Sequence, residues 1–393
     1  MANIRKRGDS YQIRVSVGYD ALGRQIVRSM TWKPKLGMSE KQIEKELNRQ
    51  AVLFEEERTD GYSGGSVKFE KFAEEWMCEY AQKNLRNTTY NTLCRIRPRV
   101  YDALGHISMD KLTVRQIQKF INSLSEEGAN KVNGKPLAPV TVRHMLAFVS
   151  DVFSYGIRMG IVRDNPCSKV ILPKLNPPKK RIYTREEVRR LMQCLEKGNL
   201  QYRALFTLLI FTGCRREEIM GLEWKDIDLE NGIIDICRTS CYTPRNGIYT
   251  DTTKTERSKR LIRIPKDVAD ILKGHRADQL QRAELLGDKW TDCDRLFTNQ
   301  YGKPLHPGVP YCWLSKFCKK NDIPFYGLHT FRHLFASLLV SNGVDIVTVS
   351  GVLGHSAVST TSNIYCHMLD EAKIRAADTV SAALGLGSTI MDK

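Results

Sequence analysis

Hydrophobic periodicity changes along this chain, and the change sets what it can fold into. Tyr11, Ile13, Val15 and Val17 alternate with Gln12, Arg14 and Ser16, the period of a half-buried strand. Tyr19 to Gly23 reads as a turn and Gln25 to Trp32 as the returning strand. Ser39 with Gln42 forms a capping box, after which Ile43, Leu47, Ala51 and Phe54 fall on one helical face. The expectation is a small three-stranded β-sheet backed by one helix. From Val67 the period becomes helical. Phe69, Phe72, Trp76 and Tyr80 share a face, and helices are predicted over roughly 87–104, 113–125 and 139–159, with Gly128 to Pro139 as a loop. A second capping box, Thr184 with Glu187, then opens the last and largest segment.

Two stretches punctuate the pattern. Thr59 to Gly65 (TDGYSGG) reads as a flexible linker. Pro173, Lys174, Pro177, Pro178, Lys179, Lys180 and Arg181 form a Pro/Lys-rich connector that prolines keep extended. The predicted organisation is therefore a sheet-and-helix domain over 1–62, an all-α domain over 66–168, a linker over 169–182, and a mixed α/β, mainly helical domain over 183–393. A chain of 393 residues can bury such cores without disulfides.

Charge narrows the choice of partner. Lys and Arg number 61 against 44 Asp and Glu, a formal +17, which points to a polyanion. A membrane surface is the weaker reading. The longest apolar run, near Ala204 to Phe211, contains Thr207 and is far below the roughly 18 residues that span a bilayer. The N-terminus, MANIRKRGDS, has no apolar core behind its charges and does not read as a secretory signal. The 11 cysteines, an odd count with no CxxC pair, read as reduced thiols of a cytoplasmic protein. Cys237 and Cys241 have no nearby His to complete a zinc site. Double-stranded DNA is the expected partner. Arg5, Arg7, Arg14, Arg24 and Arg28 are expected on the open face of the sheet, where arginines reach base edges or phosphates. Lys83, Arg86, Arg95, Arg97, Arg99 and Arg143 make the helical domain basic, and Lys179, Lys180 and Arg181 suit the connector to crossing a phosphate backbone. The bland alternative for each group is a solvated face.

The last segment carries residues of a different kind. The apolar helix runs into Thr212-Gly213-Cys214-Arg215-Arg216-Glu217-Glu218. Lys254 follows in a polar stretch that reads as a hairpin tip before a strand, Leu261 to Ile264. Then come Leu328-His329-Thr330-Phe331-Arg332-His333, Leu353-Gly354-His355-Ser356 and Asn363-Ile364-Tyr365. Singly, each has an ordinary explanation. Arg215 would pair with Glu218, the histidines would be structural, Lys254 solvated and Tyr365 packed at a helix end.

In order and in context, the set resembles the tyrosine recombinase (phage-type integrase) family, most of all integrases of conjugative transposons. That family's pattern is Arg, Lys, His-x-x-Arg, His or Trp, and Tyr, matched here by Arg215, Lys254, His329, Arg332, His355 and Tyr365. The likeness is firm over about 183 to 380, and the two N-terminal segments resemble arm-binding and core-binding domains less specifically. It implies a site-specific recombinase that cleaves DNA through a 3′-phosphotyrosyl link and needs no metal or cofactor. Tyr365 would be the nucleophile and the two arginines a clamp on the non-bridging oxygens. Lys254 would protonate the leaving 5′-oxygen, His329 would accept the tyrosine proton, and His355 would donate to the phosphate. His333 and His367 would stand by. The resemblance further implies a tetramer on two DNA sites, arm-type and core-type sites, an excisionase and a host DNA-bending protein. The apolar face of Ala372, Ile374, Ala377, Val380 and Ala383 would dock on a neighbouring protomer or fold back. A type IB topoisomerase and an inactive DNA-binding regulator are the rival readings. The separate N-terminal sheet argues against the first and the full residue set against the second.

Overall fold

In the N-terminal segment the period-two pattern builds three antiparallel strands, β1 (Asn3–Arg7), β2 (Ser10–Tyr19) and β3 (Gln25–Trp32), in sheet order β1-β2-β3. The chain is described by a computed structural model over residues 3–19, 24–35, 37–59, 67–174, 181–252, 258–355 and 357–359. Ile13 and Val15 are buried under α1 (Glu40–Thr59), which contributes Leu47, Ala51 and Phe54. The Ser39 backbone N–H donates to Gln42 Oε1 at 3.0 Å, as a capping box requires. The helix includes Thr59, the first residue of the stretch expected to be a linker, and the rest of that stretch lies outside the described residues.

Register corrects one expectation. Directly paired residues of an antiparallel sheet share a face. Arg5 pairs with Gln12, Arg7 with Ser10 and Asn3 with Arg14, so Arg5, Arg7 and Arg14 do lie on the open face. Arg28, however, pairs with Val15, and the neighbouring pairs are Ile13 with Met30 and Tyr11 with Trp32. Arg28 therefore projects on the helix-covered side of the sheet, at its exposed margin, and not with the other arginines.

The helical segment comprises α2 (Phe69–Trp76), α3 (Gln82–Asn84), α4 (Asn87–Val100), α5 (Val114–Ser123) and α6 (Pro139–Arg158), with π-helical turns at Met77–Ala81 and Tyr101–Gly105. Phe69, Phe72 and Trp76 are buried on the expected face, and the Tyr80 ring stacks 6.4 Å from Trp76. Pro139 opens α6 instead of closing the loop before it, because its missing N–H and fixed φ suit a first helical position.

Chain contacts divide the molecule into two units, residues 1–177 and 178–393. In the second, α7 (Arg185–Glu196) starts at a complete capping box: Glu187 N–H donates to Thr184 Oγ1 at 3.2 Å and Thr184 N–H to Glu187 Oε2 at 2.8 Å. Next come α8 (Leu200–Thr212), α9 (Arg216–Gly221), β4 (Ile227–Asp228), β5 (Ile233–Ile236), β6 (Arg238–Thr243), β7 (Gly247–Thr252) and β8 (Arg260–Arg263). The chain then forms α10 (Lys266–Leu286), α11 (Val309–Lys320), α12 (His329–Ser341) and α13 (Ile346–Leu353). Apolar on nearly every side, α8 lies in the core with Leu205, Phe206 and Leu208 fully buried among residues such as Tyr183 and Phe331. Truncating a buried phenylalanine such as Phe206 to Ala costs about 3–5 kcal/mol.

Strand pairing corrects the reading of the polar stretch before Leu261. β7 pairs with β6, whereas β8 pairs with β5 in the three-stranded sheet β4-β5-β8. Among the described residues of this region the hairpin turn is therefore the one between Thr243 and Gly247. The polar stretch links two different sheets, and Lys254 itself lies outside the described residues. Among the described residues no helix is long and apolar enough to cross a membrane.

Candidate active site

The C-terminus of α13 organises the site. The last carbonyls of a helix lack intrahelical partners and carry the negative end of its dipole. Gly354 closes α13 in the left-handed conformation, with φ of 67°, and turns the chain toward His355. Three consecutive carbonyls at this end are each taken by a different arginine. Arg260 Nε donates to Val352 O at 2.6 Å, Arg332 Nη2 to Leu353 O at 2.7 Å, and Arg215 Nη2 to Gly354 O at 3.2 Å.

Each arginine reaches this turn from a separate element. Arg215 caps the start of α9, just after Gly213 ends α8 with φ of 59°. Its Nη1 lies 2.7 Å from Glu218 Oε1, and its own backbone N–H donates to Glu218 Oε2 at 3.0 Å. Arg332 sits in the first turn of α12, 3% exposed, and its Nη1 donates to Gly213 O at 2.9 Å. Arg260, on β8, donates from Nη2 to Glu218 Oε2 at 2.8 Å. Two guanidiniums, those of Arg215 and Arg260, thus share the Glu218 carboxylate, which is itself 2% exposed on its side chain.

Charge responds as this crowding requires. Burial alone would raise the Glu218 carboxyl, but hydrogen bonds and charge from Arg260 and then Arg215 hold it below the ordinary range. Burial first, and then Arg215, pull the Arg332 guanidinium down to about 10, still charged at neutral pH. Burial, with Arg332 and Arg215 next, holds His355 down to about 4, so its imidazole is neutral near pH 7. A neutral imidazole still donates one N–H. An excess of positive charge beside a neutral donor is what an anion with several oxygens would fill.

A cleft of about 570 Å³ opens beside Arg215, lined also by Arg216, His329, His333, Tyr311 and Tyr326 among others. His329 starts α12 one turn from Arg332, and its ring meets that of His333 edge-on at 4.8 Å between centroids. Of the residues expected from sequence, Arg215, His329, Arg332 and His355 gather in this region. Lys254, Tyr365, Lys179 and Lys180 fall outside the described residues. Arg181 and Arg24 are exposed, and Arg5, Arg7 and Arg14 share the open sheet face. No group of three or more His, Cys, Asp or Glu that could hold a metal occurs among the described residues.

Sequence reading missed Arg260. A signal existed: Arg260 stands two residues before Ile262 on the inward face of the strand, an apolar position given to a cation.

Residues 181–372 match the Phage integrase family, and residues 68–125 match the N-terminal SAM-like domain of phage integrases. The chain is 26% identical over 408 residues to a XerC-like tyrosine recombinase of Caldanaerobacter subterraneus subsp. tengcongensis, covering 96% of this chain and 98% of that protein. It is 26% identical over 375 residues to the ICEBs1 integrase of Bacillus subtilis, covering 95% and 97%. Among solved structures, the Tn1549 transposon integrase in complex with a circular intermediate DNA superposes with a TM-score of 0.66 at 20% identity, covering 80% of this chain and 100% of that one. A lambda integrase tetramer bound to a Holliday junction gives 0.55 at 17% identity, covering 90% and 96%.

Proposed function

Since this chain is a tyrosine recombinase of the phage integrase family, we propose that it cuts and rejoins DNA at specific sites through a 3′-phosphotyrosyl intermediate, for integration and excision of a mobile element. The observation that carries the reading is the convergence of Arg215 and Arg332 on adjacent carbonyls of one turn, Gly354 and Leu353. Two planar forks held this way present their remaining N–H groups as a fixed clamp for the non-bridging oxygens of a phosphodiester. Such a clamp does its work by being organised before charge develops.

The roles follow from residue chemistry. The Tyr365 oxygen attacks phosphorus while the bond to the 5′-oxygen breaks. His329 takes the tyrosine proton and Lys254 gives one to the departing 5′-oxygen. His355, neutral before DNA binds, donates its N–H to a non-bridging oxygen. The phosphotyrosyl bond keeps the energy of the phosphodiester, so a 5′-hydroxyl from another strand attacks it and the same steps run in reverse.

In this reading residues 1–62 bind arm-type DNA and 66–168 grip the core site. Residues 169–182 link them to the catalytic domain over 183–393, whose C-terminal segment serves oligomerisation. Integrases of similar fold have been solved on DNA, one of them as a tetramer on a Holliday junction. By analogy this chain acts as a tetramer on two DNA sites in the cytoplasm, with an excisionase and a host DNA-bending protein setting direction.

The charge work falls to arginines and a lysine, which makes metal independence the direct test. A nicked suicide duplex carrying the ends of the encoding element should yield a covalent adduct in EDTA. Loss of the adduct on chelation, restored by magnesium, would overturn the mechanism.

A further inference from the structure

Arg260 belongs to none of the roles above, yet it contacts four residues at the site, Val352, Ser258, Glu218 and Cys214. Its side chain is 7% exposed. Nε donates to Val352 O at 2.6 Å and Nη1 to Ser258 O at 2.9 Å. Nη2 reaches both Glu218 Oε2, at 2.8 Å, and Cys214 Sγ, at 3.1 Å. A guanidinium has five N–H donors. Four contacts of this kind leave little with which to bind a phosphate, so Arg260 is not a third clamp.

Its partners are the supports of the groups that react. Glu218 holds Arg215 at both the guanidinium and the backbone N–H. Val352 opens the run of carbonyls on which Arg332 and Arg215 rest, and His355 follows it by three residues. Ser258 is the first described residue after the stretch that contains Lys254. The fit is close. A Cβ on Gly354 would stand 2.9 Å from Arg260 Nη1, so only glycine lets the turn approach the guanidinium.

We propose that Arg260 is a positioning residue for strand cleavage, fixing Arg215 through Glu218, the His355 turn through Val352, and the exit of the Lys254 stretch through Ser258. The proposal rests on the recombinase reading. It assigns one buried fork to three elements that must be in place together at the moment of transfer. Displacing an aligned group by even about 1 Å can cost about 100-fold in rate without weakening binding.

The test separates chemistry from binding and from folding. Arg260→Lys keeps the charge but loses the planar fork. On the same nicked duplex, single-turnover adduct formation at saturating DNA should slow by about 10- to 100-fold, while affinity stays within about threefold of wild type. Arg260→Gln removes the charge facing Glu218. The other charged groups facing that carboxylate are Arg215 from its own helix start and Arg332 from α12, with the Cys214 thiol alongside. Without Arg260 the buried carboxyl protonates at higher pH, Arg215 loses its anchor, and the rate should fall off on the acid side at a higher pH than in wild type. The lysine variant, keeping the charge, should keep the wild-type acid limb. Arg263→Gln, exposed on the same strand, is the control and should match wild type in every readout.

A wild-type rate in Arg260→Lys would overturn the proposal. So would a loss of rate matched by an equal loss of affinity or of folded protein. Should Arg260→Gln fail to fold, the split between rate and affinity in Arg260→Lys decides alone. If wild type itself forms no adduct, the recombinase reading fails first. An active wild type with an equally active lysine variant refutes only the positioning role.

Discussion

Arg215 is bound twice by Glu218: its Nη1 lies 2.7 Å from one carboxylate oxygen and its backbone N–H donates to the other at 3.0 Å. One side chain thus caps α9 and aims the guanidinium that stands at its start. Because Glu218 also meets Arg260 at 2.8 Å, removing it leaves two cations facing each other without their shared anion. Glu218→Ala should destabilise the fold by about 3–5 kcal/mol, as breaking a buried ion pair does. Urea unfolding measures this, and a change below about 1 kcal/mol would show that the cluster is held by other contacts.

The turn at Gly213 should be equally intolerant. Its φ of 59° is left-handed, and an added Cβ would stand 2.4 Å from the Phe335 ring. Its carbonyl also receives Arg332 Nη1. Gly213→Ala should cost more than about 2 kcal/mol, left-handed strain plus overlap. Gly128→Ala supplies the contrast. With φ of 83° and nothing within 4 Å, it carries strain alone and should cost about 1–2 kcal/mol.

Acid should weaken the folded state in a defined window. In the folded chain burial, with Arg332 and Arg215 next, holds His355 down to about 4, against the ordinary imidazole value of 6.5 in the unfolded chain. As pH falls from 6.5 toward 4 the unfolded chain takes up a proton that the folded chain refuses, so the stability present above 6.5 is progressively lost. His355→Asn should lose less stability than wild type between pH 7 and pH 4.5, read as the shift of the urea midpoint. Equal shifts in both would show that His355 is not depressed.

What could be read locally was legible, and what depends on distant pairing was not. The Thr184–Glu187 box needs only four residues, and the structure contains both of its hydrogen bonds. The alternation of Tyr11, Ile13 and Val15 likewise led to a sheet with one buried face. The face of Arg28 depends on register across the β2–β3 turn, where the pairing shifts between Ser16 and Tyr19, and alternation within one strand says nothing about that shift. The polar stretch at Lys254 looked like a hairpin because strands near in sequence usually pair, yet β8 chose β5. Arg260 escaped notice because its partners Glu218 and Val352 lie 42 and 92 residues away.

The parting of the sheet arginines makes arm binding testable at single residues. Arg14, on the open face with Arg5 and Arg7, should contact phosphate. Arg14→Ala should weaken arm-DNA binding and flatten the slope of log K against log salt by about one. Arg28→Ala, on the opposite side, should leave that slope unchanged. Equal effects from both would mean that the open face is not the DNA surface.

The central claim is that Tyr365 becomes joined to DNA. Tyr365→Phe removes one hydroxyl and leaves every arginine in the sequence, so it should bind the nicked core-site duplex with near wild-type affinity. Wild type should form an SDS-resistant adduct, and peptide mass spectrometry should place the 3′-phosphoryl group on Tyr365, with no adduct in Tyr365→Phe. An adduct on Tyr326, which lines the cleft, or on Tyr301, or one that survives in Tyr365→Phe, would contradict the account.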